Sequence, residues 1–147
     1  MAENLIGRAL DLAIERHRGQ VDKAGKPYLG HLLCVAARVS DEGDAILVAV
    51  LHDILEDTPT TPAELLDFGF PPEIVDAVVV LTKDPESSYM ENIAHVKTNR
   101  LAKKVKIADL MDNLDPSRRL PDSENWMVER YQKALAFLED KEIEDGR

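Results

Sequence analysis

The sequence predicts an all-α fold built as one domain over residues 1–147. Three observations carry that expectation. Apolar residues recur at three- and four-residue spacing along most of the chain. Helix-start signals recur between the apolar runs. Almost no segment alternates with the period of two that a half-buried strand requires.

The elements follow in order. Leu5, Ile6, Ala9, Leu10, Ala13 and Ile14 share one helical face, and the helix is expected to run to about Arg18. Gly19, Gly25 and Pro27 then mark a loop from Gly19 to Pro27. A second helix carries His31 to Val39, after which Ser40, Asp41 and Gly43 punctuate the chain. Asp44 is the expected cap of a third helix, Ala45 to Glu56. Thr61-Pro62-Ala63-Glu64 joins a capping box to a proline at the first helical position. Pro71-Pro72-Glu73 opens the segment Ile74 to Leu81. Its β-branched content suits a strand, but its helical neighbours favour a helix. Ser88-Tyr89-Met90-Glu91 is a second capping box, for a helix ending near Asn99. A further helix runs from Leu101 to Leu114 and stops at Asp115-Pro116. The last helix runs from Ser123 to about Ile143, packed by Trp126, Tyr131 and Phe137.

Composition narrows the function. A hydrophobic fraction of 44% and a charged fraction of 31% describe a soluble globular chain long enough for one sizeable core. No apolar run reaches membrane-spanning length, and Met1 to Arg8 lacks the pattern of a secretion signal. The single cysteine, Cys34, forms no internal disulfide, which fits a reducing cytoplasm; it reads as a small core residue. The net charge of −10 argues against a nucleic-acid or anionic-membrane partner. An anionic substrate would need local basic groups or a metal. The oligomeric state is not legible.

The chemistry concentrates in Leu51-His52-Asp53-Ile54-Leu55-Glu56-Asp57-Thr58. Four ionisable side chains close an apolar run, and such groups are rarely buried unless they are paired or bind a metal. On one helix Asp53 and Glu56 lie three apart, while His52 and Glu56, and Asp53 and Asp57, lie four apart. A hydrolytic metal site needs further ligands and an open position for water. His31, at the start of its apolar helix, and Asp109, in Val105-Lys106-Ile107-Ala108-Asp109-Leu110, are the candidates. Two imidazoles and two carboxylates form a mixed N/O set suited to Mn²⁺, Fe²⁺ or Zn²⁺. Lys103, Lys104 and Lys106 read as a solvated helix face, with Lys106 close enough to reach Asp109. His95 reads as a surface residue. His17 reads as a group that orients a ligand, and Arg16 and Arg18 suit the end of the first helix.

The order His31, His52-Asp53, Asp109 resembles the HD-domain metal-dependent phosphohydrolases, and most closely the hydrolase domain of RelA/SpoT-type alarmone enzymes and the stand-alone small alarmone hydrolases. Three segments carry the resemblance: Arg16-His17-Arg18-Gly19-Gln20 through Gly25-Lys26-Pro27-Tyr28-Leu29-Gly30-His31; Leu51 to Thr58; and Val105 to Leu114. The resemblance implies an HD-fold helical bundle with one metal, usually Mn²⁺, on His31, His52, Asp53 and Asp109. It implies that Glu56 and Asp57 position and deprotonate the attacking water, that Asn113 shapes the nucleotide site, and that Lys23 lies near the substrate. The implied reaction removes the 3′-pyrophosphate of guanosine tetra- or pentaphosphate, a small-molecule nucleotide.

Asp22-Lys23 stands where that family has two adjacent basic residues, and Leu32 stands where proline is usual. The third segment is also less basic, with Arg118 and Arg119 as candidate replacements. These departures keep two alternatives open. One is hydrolysis of another phosphorylated nucleotide, such as an adenine alarmone, a 5′-nucleotide or a phosphorylated dinucleotide. The other is a nucleotide sensor without turnover, against which Glu56-Asp57 counts.

Overall fold

The computed structural model describes residues 2–117 and 125–140. Nine helices occupy them: α1 (Ala2–Arg16), α2 (Tyr28–Arg38), α3 (Gly43–Leu51), α4 (Ile54–Asp57), α5 (Pro62–Asp67), α6 (Pro72–Leu81), α7 (Tyr89–Lys97), α8 (Arg100–Leu114) and α9 (Asn125–Leu138). Among the described residues the only strand-like feature is an isolated antiparallel bridge, Val21 to Pro27. The β-branched segment 74–81 is helical, as its neighbours suggested.

The centre of the bundle is α3. Ala45 and Leu47 to Leu51 are all buried, so this helix is apolar around nearly its whole circumference, the pattern of a core helix. It packs against α1, α2, α6 and α8, and α8 in turn packs against α2, α7 and α9. Both expected capping boxes form: Thr61 Oγ1 accepts from Glu64 N, and Ser88 Oγ accepts from Glu91 N. Asn99 caps α8 by accepting from Ala102 N.

Several boundaries differ from the sequence expectation. Helix α1 ends at Arg16, and His17 to Gly19 form a turn completed by Gly19 at φ 79°. Asp44 does not cap α3; the cap position is Glu42, which makes no side-chain cap bond, and Asp44 sits in the first turn. The expected single helix 45–56 is broken at His52-Asp53. A continuous helix would offer the Ala49 carbonyl to Asp53 N. Here the His52 amide takes it at 3.4 Å and His52 Nδ1 at 2.6 Å, and Asp53 turns to φ −108°, ψ 3°. Cys34 is exposed, because the buried stripe of α2 runs through Tyr28, His31, Leu32 and Val35 and misses it. Trp126 and Phe137 do not pack the core; they are 55% and 38% exposed, with Trp126 lying against Arg130 and Phe137 against Lys97. The expected start at Ser123, the end near Ile143, and Arg118 and Arg119 lie outside the described residues.

Candidate metal centre and adjoining pocket

Three helices deliver the centre. His31 comes from the first turn of α2, His52 from the break after α3, and Asp109 from the middle of α8. One ligand atom from each lies within 4.8 Å of the others, close to the spread that bonds of about 2.0–2.2 Å to one ion allow. All three side chains are buried. His31 Nε2 lies 2.7 Å from Asp109 Oδ1, and His52 Nε2 lies 3.5 Å from the same oxygen. Asp53 is half-buried, with Oδ2 3.3 Å from His52 Nε2. Three of the four expected ligands, His31, His52 and Asp109, are therefore brought together, and Asp53 lies beside them.

The surrounding bonds orient the two imidazoles. His52 Nδ1 donates to the Ala49 carbonyl, which leaves Nε2 as the lone-pair nitrogen facing the cluster. That Nε2 is buried and makes no hydrogen bond among the described residues. His31 Nδ1 lies 2.6 Å from Asp112 Oδ2, so a proton held there turns Nε2 towards Asp109. Asp112 is buried and had no role in the sequence reading. The available signal was its spacing, three residues beyond Asp109 on the same helix face.

Electrostatics divide the two carboxylates. Burial pushes the Asp53 carboxyl well above the usual carboxylate range, and the charges of Asp109, Asp57 and Glu56 add to it. Burial acts the same way on Asp109, but the Lys106 ammonium and the hydrogen bond from His31, with His52 close by, outweigh it and hold Asp109 well below that range. Lys106 Nζ lies 3.0 Å from Asp109 Oδ2, and this acidic surrounding raises the Lys106 ammonium against its own burial. A divalent cation fits the donor set: it would satisfy the unpartnered His52 Nε2 and offset the crowded Asp53 charge.

Beside the cluster lies a pocket of about 230 Å³. His52, Asp53 and Glu56 line one part of it, and Tyr89, Arg130 and Tyr131 another. Lys106 and Asn113 also line it, and Asn113 Nδ2 lies 3.5 Å from Asp109 Oδ1. Glu56 Oε1 accepts from Lys83 N at 2.9 Å, which fixes the carboxylate and leaves Oε2 available. Asp57 is exposed and is not among the pocket-lining residues; its Oδ2 accepts from Gln20 Nε2 at 3.0 Å. Gln20 Oε1 in turn lies 2.8 Å from Nδ1 of buried His17. His17 thus orients Gln20 and not a metal ligand. Lys23 lies outside the pocket lining, but its Nζ is 3.1 Å from Sδ of Met127, which lines it. Asp22 turns inward on its own loop, where Oδ1 accepts from Ala24 N and Lys26 N at 2.9 Å each. Arg16 is committed to Thr60 at 2.7 Å, and His95 is exposed as expected.

A helical bundle whose buried centre gathers His31, His52 and Asp109, with Asp53 beside them, has the arrangement of an HD-type centre. The chain belongs to the HD-domain family: the family model described as "HD domain" matches residues 9–141. It is 35% identical over 139 residues to the guanosine-3′,5′-bis(diphosphate) 3′-pyrophosphohydrolase MESH1 of Danio rerio, covering 84% of this chain and 74% of that one. The Xenopus tropicalis protein of the same name is 35% identical over 142 residues, covering 88% and 78%. The GTP pyrophosphokinase rsh of Brucella melitensis biotype 1 is 42% identical over 84 residues, which are 55% of this chain but 11% of that protein. A solved structure described as a metazoan ortholog of SpoT that hydrolyzes ppGpp has a TM-score of 0.72 at 23% identity, covering 91% of this chain and 84% of that one, and shows the fold. No helix among the described residues is long and apolar enough to cross a membrane.

Proposed function

We propose that the chain is a cytoplasmic, metal-dependent phosphohydrolase that removes the 3′-pyrophosphate from guanosine tetra- and pentaphosphate. The observation that carries this reading is the convergence of His31, His52 and Asp109, with the unpartnered His52 Nε2 facing them, beside a pocket lined by Glu56. The names of the relatives support the substrate class.

His31, His52, Asp53 and Asp109 would hold one cation, with Mn²⁺ the best match to their mixed N/O donors. Such an ion would supply Lewis acidity towards a phosphoryl oxygen and would lower the pKa of water at the site towards about 7. The chain's own groups do the rest. Asp112 and the Ala49 carbonyl hold the two imidazoles in the required orientation. Glu56, anchored through Oε1, takes the proton of the attacking water at Oε2. Asp57, held by Gln20, orients that water from outside the pocket. Lys23 and Asn113 contact the nucleotide. A new bond forms from the water oxygen to phosphorus, and the bond from the nucleoside 3′-oxygen to the pyrophosphoryl phosphorus breaks, the departing 3′-oxygen taking a proton from solvent. The products are pyrophosphate and guanosine 5′-di- or triphosphate with a free 3′-hydroxyl.

Asp22 favours a second reading, hydrolysis of another phosphorylated nucleotide, because a carboxylate at that loop position offers no charge pairing to a phosphate. A Mn²⁺-supplemented nucleotide screen with product identification decides between them. Pyrophosphate release from guanosine 3′-pyrophosphates is the expected result. Inorganic phosphate as product, or turnover of adenine nucleotides alone, would replace the lead reading; binding without turnover of any nucleotide would make the chain a sensor.

A further inference from the structure

Helix α4 is a single turn of four residues, and it carries both Glu56 and Asp57. A turn that short is not stable by itself, because fixing its backbone costs more freedom than its first hydrogen bonds return. What holds it reaches back to α1. Thr58, the residue after α4, donates its hydroxyl to the Ile54 carbonyl at 2.6 Å, and its N–H reaches the same oxygen at 3.2 Å. Thr58 Oγ1 lies 2.7 Å from Thr60 Oγ1, and Thr60 Oγ1 lies 2.7 Å from Arg16 Nη1.

The direction of this chain is forced. A guanidinium only donates, so Thr60 accepts from Arg16 and keeps its one proton for Thr58. Thr58 spends its own proton on Ile54, so it accepts from Thr60. The run of donors starts at a cation and ends on the carbonyl that opens α4, and each bond polarises the next. Thr60 is buried and Arg16 half-buried. Arg16 is fixed from a second side by Glu64, whose Oε2 lies 3.8 Å from Nη2 and whose Oε1 closes the capping box of α5. Arg16 also ends α1, which packs on α3, and α3 stops one residue before His52. The turn bearing Glu56 is thereby tied to the frame that presents a metal-site histidine. None of Arg16, Thr58 and Thr60 lines the pocket.

We infer that Arg16 is a positioning residue for the hydrolysis: through Thr60 and Thr58 it fixes the Ile54 carbonyl, and with it the turn from which Glu56 reaches the attacking water. The inference deepens the proposed reaction and rests on it for the role of Glu56. Arg16 touches neither the substrate nor the cation and acts only through the chain of hydroxyls.

Full-length proteins supplemented with Mn²⁺ are compared on guanosine 3′,5′-bis(diphosphate). Thr60→Val keeps the shape of the side chain and removes the hydroxyl in the middle of the chain. It is expected to lower kcat by about 10-fold, with KM and metal content near wild type. Thr60→Ser restores the hydroxyl and should recover most of the loss. Arg16→Gln should lower kcat as well, and the double variant with Thr60→Val should be no slower than Thr60→Val alone, because both act along one path. In a Glu56→Gln background Thr60→Val should cost nothing further; a second 10-fold loss there would overturn the inference. Amide hydrogen exchange gives a readout independent of turnover. The Asp57 and Thr58 amides, bonded to the Asp53 and Ile54 carbonyls, should exchange about 5-fold faster or more in Thr60→Val, the scale of one lost hydrogen bond, while α3 keeps its protection. Unchanged exchange at those two amides, or an equal loss throughout α3, would also overturn it. If the wild type hydrolyses no guanosine 3′-pyrophosphate, the proposed reaction fails, while the exchange rates still decide whether Arg16 and Thr60 hold α4.

Discussion

Gln20 Nε2 donates to Asp57 Oδ2 at 3.0 Å, and the other end of the same amide faces His17 Nδ1 at 2.8 Å. A loop residue thereby connects a buried imidazole to an exposed carboxylate 37 positions later. The direction is fixed by chemistry: a carboxylate only accepts, so the amide nitrogen must face Asp57 and the amide oxygen must face a protonated His17 Nδ1. Gln20→Leu removes both bonds while keeping the bulk. It is expected to lower kcat by about 10-fold or more through misplacement of Asp57. KM and metal content should stay near wild type. His17→Asn retains an N–H donor in that region and should recover part of the loss that His17→Phe causes. An unchanged kcat in Gln20→Leu would separate Asp57 from the reaction.

Asp112 never reaches the cluster yet holds His31 from behind at 2.6 Å. Asp112→Ala is expected to weaken metal binding by about 10- to 100-fold. Metal content after dialysis against graded chelator is the measurement, with Asp112→Asn retaining an acceptor and losing less.

Asp53 and Glu56 should separate in a single pair of variants. Asp53→Ala is expected to lose both the cation and activity. Glu56→Gln should keep the cation and lose about 10²- to 10⁴-fold in turnover, the usual scale for a proton acceptor. Metal analysis beside initial rates gives both answers, and normal turnover in a fully loaded Asp53→Ala protein would remove Asp53 from the ligand set.

Glu42 supplies a prediction about stability. Hydrogen bonds from Arg100 and Lys104 lower its carboxyl to about 2 from the ordinary 4.5. A carboxyl depressed on folding stabilises above its unfolded value, and that contribution disappears as pH falls from 4.5 through about 2. Glu42→Gln is therefore expected to cost stability at pH 7 and to match the wild type near pH 2. The side chain is 28% exposed and its partner Arg100 69%, so solvent screening keeps the difference within about 1 kcal/mol. Urea unfolding across pH measures it, and a gap that persists at pH 2 would assign the effect to packing.

Much of the helix order was legible because apolar spacing and capping chemistry are local. Thr61-Glu64 and Ser88-Glu91 illustrate this, each forming its bonds within one turn. The break at His52-Asp53 was not legible. It depends on a side chain competing with the backbone for one carbonyl, and periodicity carries no trace of that competition. The metal centre was visible as residue types, since buried histidines and aspartates demand partners. The contact that Asp112 makes with His31 was not, because it arises only when α2 meets α8. Trp126 shows the same limit in reverse: an aromatic residue at helical spacing lies on the surface, 55% exposed, with Arg130 against its ring.

His31 and Asp109 are separated by 78 positions yet sit 2.7 Å apart. During synthesis, the nascent chain cannot gather these ligands until α8 has emerged and docked. Ion capture would then belong to the closing stage of assembly, and a loaded centre would mark chains that have finished folding.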